Sequence, residues 1–303
     1  MAILTDRVVA ITGAGRGIGR ELALLCAKEG ACVVVNDFGV TAAGEGSDAG
    51  PAHDVVAEIE RAGGRAWANL ASVTDPHGAA SIVEDAVQRF GRIDAVVNNA
   101  GFLRDGIWHK MSFENWRAVI DVHLNGAFNV SKAATPYFKA QGSGSFIHFT
   151  STSGLIGNVG QANYSAAKMA IVGLSQSIAL DMQRFGVRSN CIAPFAWSRM
   201  IATINGDDPA EQARLRRMQS MSADKIAPLV AFLASDRSKE ITNQIFAVRK
   251  NELFLFSKPK PVRSIHRSGG WSAQSIADEF IPAIRSDLAP MLTSPELFNW
   301  DPV

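Results

Sequence analysis

The sequence predicts an α/β fold: a Rossmann-type doubly wound parallel sheet, in a single domain with a C-terminal extension. Three observations carry this. From residue 7 to about 192, short β-branched runs alternate with longer stretches of helical period, the pattern of successive βαβ units. Several of these runs are apolar almost throughout, as strands covered on both faces are. The first of them leads straight into a Gly-rich turn, Thr12 to Gly19, that opens a helix.

In chain order the strand candidates are Val8 to Thr12, Cys32 to Asn36, Ala66 to Leu70, Ile93 to Asn98, Ser145 to Thr150 and Arg188 to Ile192. A helix over Ile18 to Glu29 repeats Ile18, Leu22, Leu25 and Cys26 at helical spacing. Another, over Pro51 to Arg61, has Pro near its start and Gly63 just past its end. After Pro194 the alternation stops. Residues 197–221 mix charges, Met and turn formers, and a mobile lid is expected there. A helix resumes over Ser222 to Ser235, Gln244 to Ala247 with Leu253 to Phe256 reads as a late strand or hairpin, and Ser272 to Ile284 is a candidate helix.

Composition narrows the function classes. A chain of 303 residues with 47% hydrophobic and 19% charged residues can bury a large core, which excludes disorder. Thirty Lys plus Arg against 29 Asp plus Glu leave a net charge of +1, so no global field draws nucleic acid or an anionic membrane. Three cysteines, Cys26, Cys32 and Cys191, supply neither a disulfide framework nor a metal-ligand spacing, and no metal is expected. No apolar run reaches the ~18 residues of a membrane span. Asp6, Arg7 and the Gly-rich turn stand where a signal peptide would have its apolar stretch. A soluble, cytoplasmic protein is the expectation.

The turn carries Gly13, Gly15, Arg16, Gly17, Ile18 and Gly19. In strand-to-helix context such a turn lets backbone N–H groups approach a pyrophosphate. Asp37, 20 residues after Gly17 at the end of the second strand, can accept hydrogen bonds from a ribose diol and repels an added phosphate, which favours NAD over NADP. Arg16 is the counter-signal, because a guanidinium could reach that phosphate. Further on, Ser151 ends the fifth strand 13 residues before Tyr164, and Lys168 follows four later. Residues four apart share a helix face. An ammonium beside a phenol of ordinary pKa near ~10 favours the phenolate, so the pair is a candidate proton donor and acceptor.

TGAGRGIG at 12–19, NNAG at 98–101, Ser151 and YSAAK at 164–168 resemble the short-chain dehydrogenase/reductase family in order and spacing, over residues 6 to about 235. The resemblance implies a nicotinamide cofactor held by the Gly-rich turn, Asp37, Ser72, Val73, Asn99, Ala100, Gly101, Tyr164, Lys168 and Pro194. It further implies Tyr164 as acid/base, Lys168 on the nicotinamide ribose and lowering the tyrosine pKa, and Ser151 on the substrate carbonyl. A fourth catalytic member, Asn in most of the family, is replaced here by His123, with Asn125 two residues on. His123 could join the proton relay or merely pack. The family often has an Asp contacting adenine where Ala71 and Ser72 stand, so adenine binding is expected to lean on backbone and on Val73.

His123, VVVNDFG at 33–39, GNVGQANYSAAK at 157–168 and IAPFAWSRM at 192–200 resemble one branch of the family, the (3R)-hydroxyacyl-CoA dehydrogenase domains of peroxisomal multifunctional enzymes type 2. That implies interconversion of 3-hydroxyacyl and 3-oxoacyl thioesters. A ketone or steroid-alcohol dehydrogenase, a 3-oxoacyl carrier-protein reductase and, more remotely, a non-catalytic cofactor-binding protein are the alternatives. Phosphates of an acyl-CoA could meet Arg214, Arg216 and Arg217 of the lid, or Lys258, Lys260, Arg263 and Arg267 of the tail. Phe195, Trp197 and Met200 could line the acyl path or belong to the core. The family also implies a homodimer or homotetramer, for which Ala133, Ala134, Ala166, Ala167 and Ala170 offer small contact residues. Residues 1–245 are thus expected to form the catalytic domain and 246–303 an extension, either an oligomer-facing edge or a hairpin over the active site.

Overall fold

The computed structural model describes residues 2–41, 43–196, 208, 212, 216 and 219–303. The expected lid over 197–221 therefore lies outside the described residues, except at 208, 212, 216 and 219–221. The described residues form eight strands: β1 (Val8–Thr12), β2 (Cys32–Asn36), β3 (Arg65–Asn69), β4 (Ala95–Asn98), β5 (Gly144–Phe149), β6 (Val187–Phe195), β7 (Ile245–Arg249) and β8 (Glu252–Leu255). They form one sheet in the order β3-β2-β1-β4-β5-β6-β7-β8. Every neighbouring pair is parallel except β7 and β8, which close an antiparallel hairpin.

The helices around this sheet are α1 (Gly17–Lys28), α2 (Gly50–Arg61), α3 (Pro76–Phe90), α4 (Phe113–Ile120), α5 (Gly126–Gln141), α6 (Thr152–Leu155), α7 (Ala162–Met182) and α8 (Ala227–Ala234), of which α4 and α6 pack on α7. Successive strand residues point to opposite faces, and the core divides accordingly. Val9, Ile11, Val33 and Val35 pack with Leu22, Cys26, Val55, Ile59, Val230 and Leu233 on the side of α1, α2 and α8. Val8, Ala10, Cys32 and Val34 pack with Ile82, Val83, Val130 and Phe138 on the side of α3 and α5. Strands buried on both faces explain why these runs are apolar without alternation. Because β1 has β2 on one side and β4 on the other, the sheet has its switch point there, and a crevice opens beyond the C-terminal ends of these strands.

Strand ends differ from the sequence expectation for identifiable reasons. β4 starts at Ala95, not Ile93, because the Ile93 backbone is taken by the Gln141 amide, whose Nε2 donates to Ile93 O at 2.7 Å. β6 runs on to Phe195 and carries Pro194 inside it. β5 stops pairing with β6 at Ile192, so Pro194 has β7 alone as neighbour, a position that tolerates a missing N–H. The expected Ser222 to Ser235 helix begins as a 3-10 turn, Ala223–Ile226, ahead of α8. In the extension, Ala273–Ile284 is helical, with a π turn at Ile276–Phe280, and Ser272 caps it.

Among the described residues no helix is long and apolar enough to cross a membrane, and no three His, Cys, Asp or Glu side chains are grouped to hold a metal. The bottom of the sheet is fastened by Asp94, which is 6% exposed. Its carboxylate accepts from the Val8 N–H at 2.9 Å, from Arg7 Nη1 at 2.9 Å and from Arg92 Nη2 at 2.7 Å. Asp94→Ala leaves a buried N–H without an acceptor and is expected to destabilise the fold by about 2 kcal/mol or more, read as a lowered denaturation midpoint at unchanged m-value.

Candidate active site

The crevice at the switch point contains a cavity of about 430 Å³. Its walls include Gly13, Arg16, Gly17, Ile18, Gly19, Asp37, Ser72, Val73, Asn99, Ala100 and Gly101, which brings together most of the cofactor-binding residues expected from the sequence. Gly15 joins them through its N–H, which donates to Asp37 Oδ2 at 2.7 Å, while Gly39 N–H donates to Oδ1 at 2.7 Å. Gly17 has φ +53° and nothing within 4 Å of where a Cβ would stand, whereas a Cβ on Gly19 would lie 2.0 Å from Gly13 O. The turn is therefore tight inside and open outside, and its backbone suits the close approach of a dinucleotide pyrophosphate. Arg16 donates to Val40 O at 3.4 Å and to the Asp48 carboxylate at 2.9 Å. Where the family often has an Asp, Ser72 shares a 2.9 Å hydrogen bond with Thr74 and Val73 is buried.

A second cavity, of about 440 Å³, shares Ile18 with the first and holds Ser151, Tyr164, Pro194 and Phe195. Ser151 caps α6, and Tyr164 and Lys168 lie on α7, one turn apart. Tyr164 is partly buried; desolvation pushes its phenol up to about 12, against a hydrogen bond with Ser151 that pulls it down. Lys168 is buried, its Nζ donates to Phe149 O at 2.7 Å, and desolvation brings its pKa down to about 7. Burial sets the direction at Tyr164, and what opposes it is the Ser151 hydrogen bond, not the expected charge of Lys168.

His123 is buried beside this pair, edge-on to the Tyr164 ring at 5.2 Å between centroids. It sits in a π turn, Asp121–Asn125, between α4 and α5, a widened turn of the kind that recurs at functional sites. Its Nε2 lies 2.8 Å from Phe102 O and 3.2 Å from the Phe102 N, so the tautomer decides whether it donates to the one or accepts from the other, and Nδ1 is buried without a partner. A Cβ on Gly101 would stand 2.1 Å from the His123 Cε1, so the last residue of the NNAG turn is glycine because the imidazole fills that space. Burial, and then the charge of Lys168, push the His123 pKa well below 6.5. Asn125 turns outward to Asp121.

A model of the short chain dehydrogenase family matches residues 7–205. The chain belongs to the short-chain dehydrogenase family. It is 43% identical over 269 residues to a short-chain type dehydrogenase/reductase of Mycobacterium tuberculosis, covering 86% of this chain and 91% of that protein. It is 44% identical to peroxisomal multifunctional enzyme type 2 of Drosophila melanogaster over 77% of this chain, a match that takes in 37% of that longer protein. The crystal structure of a short chain dehydrogenase from Mycobacterium avium superposes with a TM-score of 0.83 at 36% identity, covering 96% of this chain and 98% of that one. The protein is an oxidoreductase of this family.

Several residues of this short-chain dehydrogenase site were not singled out from the sequence. Leu103, Gln161 and Met221 line the second cavity, as do Arg249 and residues of the C-terminal segment. A polar chain runs from Ser151 Oγ to Ser153 Oγ at 3.2 Å, on to Gln161 Oε1 at 2.8 Å, and from Gln161 Nε2 to Asp105 at 2.8 Å. Two of the cationic candidates for an acyl-CoA are engaged within the extension, Arg263 with Asp287 at 3.2 Å and Arg267 with Glu279 at 3.6 Å, whereas the Lys258 Nζ is buried without a hydrogen-bond partner. Arg216 is exposed, and Arg214, Arg217, Trp197 and Met200 lie outside the described residues.

His148, buried under the site, is pushed down to about 3 by burial and then by Lys168. Both His123 and His148 are neutral in the folded chain and gain a proton on unfolding once the pH is below 6.5, the unfolded value. Their contribution to stability is present above that pH and is lost as pH falls, by about 1.4 kcal/mol per unit for each ring. Denaturation followed between about pH 7 and 5 is expected to show this slope, and His148→Phe to reduce it.

Proposed function

We propose that this short-chain dehydrogenase interconverts a 3-hydroxyacyl and a 3-oxoacyl thioester, with NAD as the preferred cofactor and Tyr164 as the acid/base. The observation that carries the reading is that Ser151 and Tyr164 line one cavity, which adjoins the Gly-rich crevice and shares Ile18 with it. A nicotinamide held in that crevice would supply the hydride acceptor or donor. The rest of the chemistry falls to the chain's own groups. In oxidation Tyr164, as phenolate, takes the hydroxyl proton while Ser151 Oγ–H donates to the oxygen as it becomes a carbonyl; reduction reverses both.

The buried environment makes Tyr164 and Lys168 act as a pair. Burial disfavours the phenolate and the ammonium taken singly, but transfer of one proton from phenol to amine creates opposite charges that offset each other. With Lys168 near 7, the neutral amine that receives the proton is available at physiological pH. In the tautomer that donates from Nε2 to Phe102 O, His123 assists as a neutral acceptor through Nδ1. The resemblance of His123 and the motifs at 33–39, 157–168 and 192–200 to the (3R)-hydroxyacyl-CoA dehydrogenase branch supports the acyl-thioester class.

Preference for NAD rests on Asp37. Each carboxylate oxygen accepts one backbone N–H and keeps a lone pair for a ribose hydroxyl, and its charge repels a 2′-phosphate. Arg16 is already paired with Asp48, although an exposed pair of this kind is weak. Residues of the family interface are expected to pair copies into a homodimer or homotetramer.

The deciding experiment follows absorbance at 340 nm with NAD and NADP against (3R)- and (3S)-hydroxyacyl-CoA and free secondary alcohols. NADH formed with the (3R) thioesters alone supports the reading; turnover of free alcohols only, or with NADP only, overturns it. Tyr164→Phe is expected to abolish turnover while NADH binding persists, and near wild-type rates would remove the mechanism. Asp37→Ser combined with Asp48→Ala is expected to shift the NADP to NAD ratio of kcat/KM by about tenfold or more.

A further inference from the structure

The last residues of the chain return to the substrate side of the sheet. Ser294, Pro295, Phe298 and Trp300 form the wall of the second cavity that faces Ser151 and Tyr164. This wall is stitched at both ends. Ser294 Oγ donates to Thr152 Oγ1 at 2.7 Å, next to Ser151 in sequence, and Ser294 N–H donates to Gly157 O at 2.9 Å. At the far end Trp300 Nε1 donates to Glu252 at 2.7 Å, and Asn251 N–H donates to Val303 O at 2.8 Å.

Between the two ends stands Arg249, the last residue of β7, 6% exposed. Its guanidinium donates to the carbonyls of Phe298 and Trp300 and pairs with Glu252 at 3.5 Å. It also lies against three rings, 5.1 Å from the centroid of Trp300, 5.9 Å from Phe298 and 6.0 Å from Phe195. Phe298 in turn meets Phe195 at 4.8 Å and Phe254 at 5.3 Å. A buried cation needs partners for its donors and a counter-charge, and here backbone carbonyls of the terminal segment supply most of them. With its donors so engaged, Arg249 is a positioning residue for the segment and is not free to hold a substrate anion.

We propose that residues 293–302, pinned by Arg249, are the wall that limits how long an acyl chain the substrate cavity accepts. The other walls come from the starts of α1, α6 and α7, the end of β6, and loop residues such as Leu103, Asn158 and Met221. This one is held by hydrogen bonds, ring contacts and the charge of Asp301 acting on Arg249, and it presents rigid aromatic side chains toward a cavity of about 440 Å³, within the range of sites that enclose most of a small ligand. A chain end running away from Ser151 and Tyr164 meets Phe298 and Trp300. Shortening or loosening these side chains lengthens the available path, and a pocket that differs by a few methylenes discriminates by one to two orders of magnitude.

The inference deepens the thioester reading but rests only on the site at Ser151 and Tyr164, so the test separates the two. Wild type, Trp300→Ala and Arg249→Gln are compared by kcat/KM over straight-chain 3-hydroxyacyl-CoA substrates from short to long, and over straight-chain secondary alcohols in parallel. Turnover of alcohols alone would fail the thioester assignment and still report the wall. NADH affinity, read by its fluorescence, serves as the folding control, since the dinucleotide crevice is built from other residues. Both variants are expected to raise the ratio of long-chain to short-chain kcat/KM by about tenfold or more, with the change carried by KM. In Arg249→Gln, amide hydrogens at 294–300 are expected to exchange faster. A common factor across all chain lengths, or an unchanged profile in a variant that binds NADH normally, would overturn the proposal.

Discussion

At the centre of the sheet, the turn after β1 and the turn after β4 lie against each other with no space between them. Asn99 Nδ2 donates to Thr12 O and Gly13 O at 3.0 Å, and Thr12 Oγ1 accepts from the N–H groups of Asn99 and Ala100 at 3.1 Å. A Cβ on Gly13 would lie 2.8 Å from Ala100 Cα. This contact fixes the Gly-rich turn relative to the NNAG turn, and both cavities take their position from it. On one side the turn shapes the crevice with Asp37; on the other, Gly101 makes room for His123, whose ring orders the side of Tyr164.

The second constraint is electrostatic. Lys168, His123 and His148 share a dry region beneath the two cavities, and each is held away from its charged form by desolvation, the histidines also by Lys168. Tyr164 is held from its charged form in the same way. Titratable groups displaced in this way cluster where acid/base chemistry is done.

The second cavity is assembled differently from the first. Residues between 13 and 122 build the crevice at the switch point, whereas Arg249 at the end of β7 and the terminal segment, distant in sequence from Ser151 and Tyr164, complete the second cavity. The extension thus contributes to the site through residues 294–302, while the β7–β8 hairpin forms the edge of the sheet. Polar groups in the intervening stretch, Arg263 and Arg267 among them, pair within the extension.

The sequence by itself determined the parallel α/β architecture, because strands covered on both faces must be apolar throughout and their alternation with helices is unmistakable. It also determined the Gly-rich turn, Asp37 and the Ser151, Tyr164 and Lys168 set, because these depend on local geometry: a strand running into a turn, and residues one helical turn apart. Only the tertiary structure decided that Lys168 turns to Phe149 O, since that depends on where α7 meets β5. The π turn that swings His123 inward has no local signature in DVHLN, and the start of β4 was moved by Gln141, 48 residues away. Arg249 and Trp300 meet by a contact that spans some fifty residues and depends on an aromatic cluster, so no motif, spacing or period in the chain could announce it.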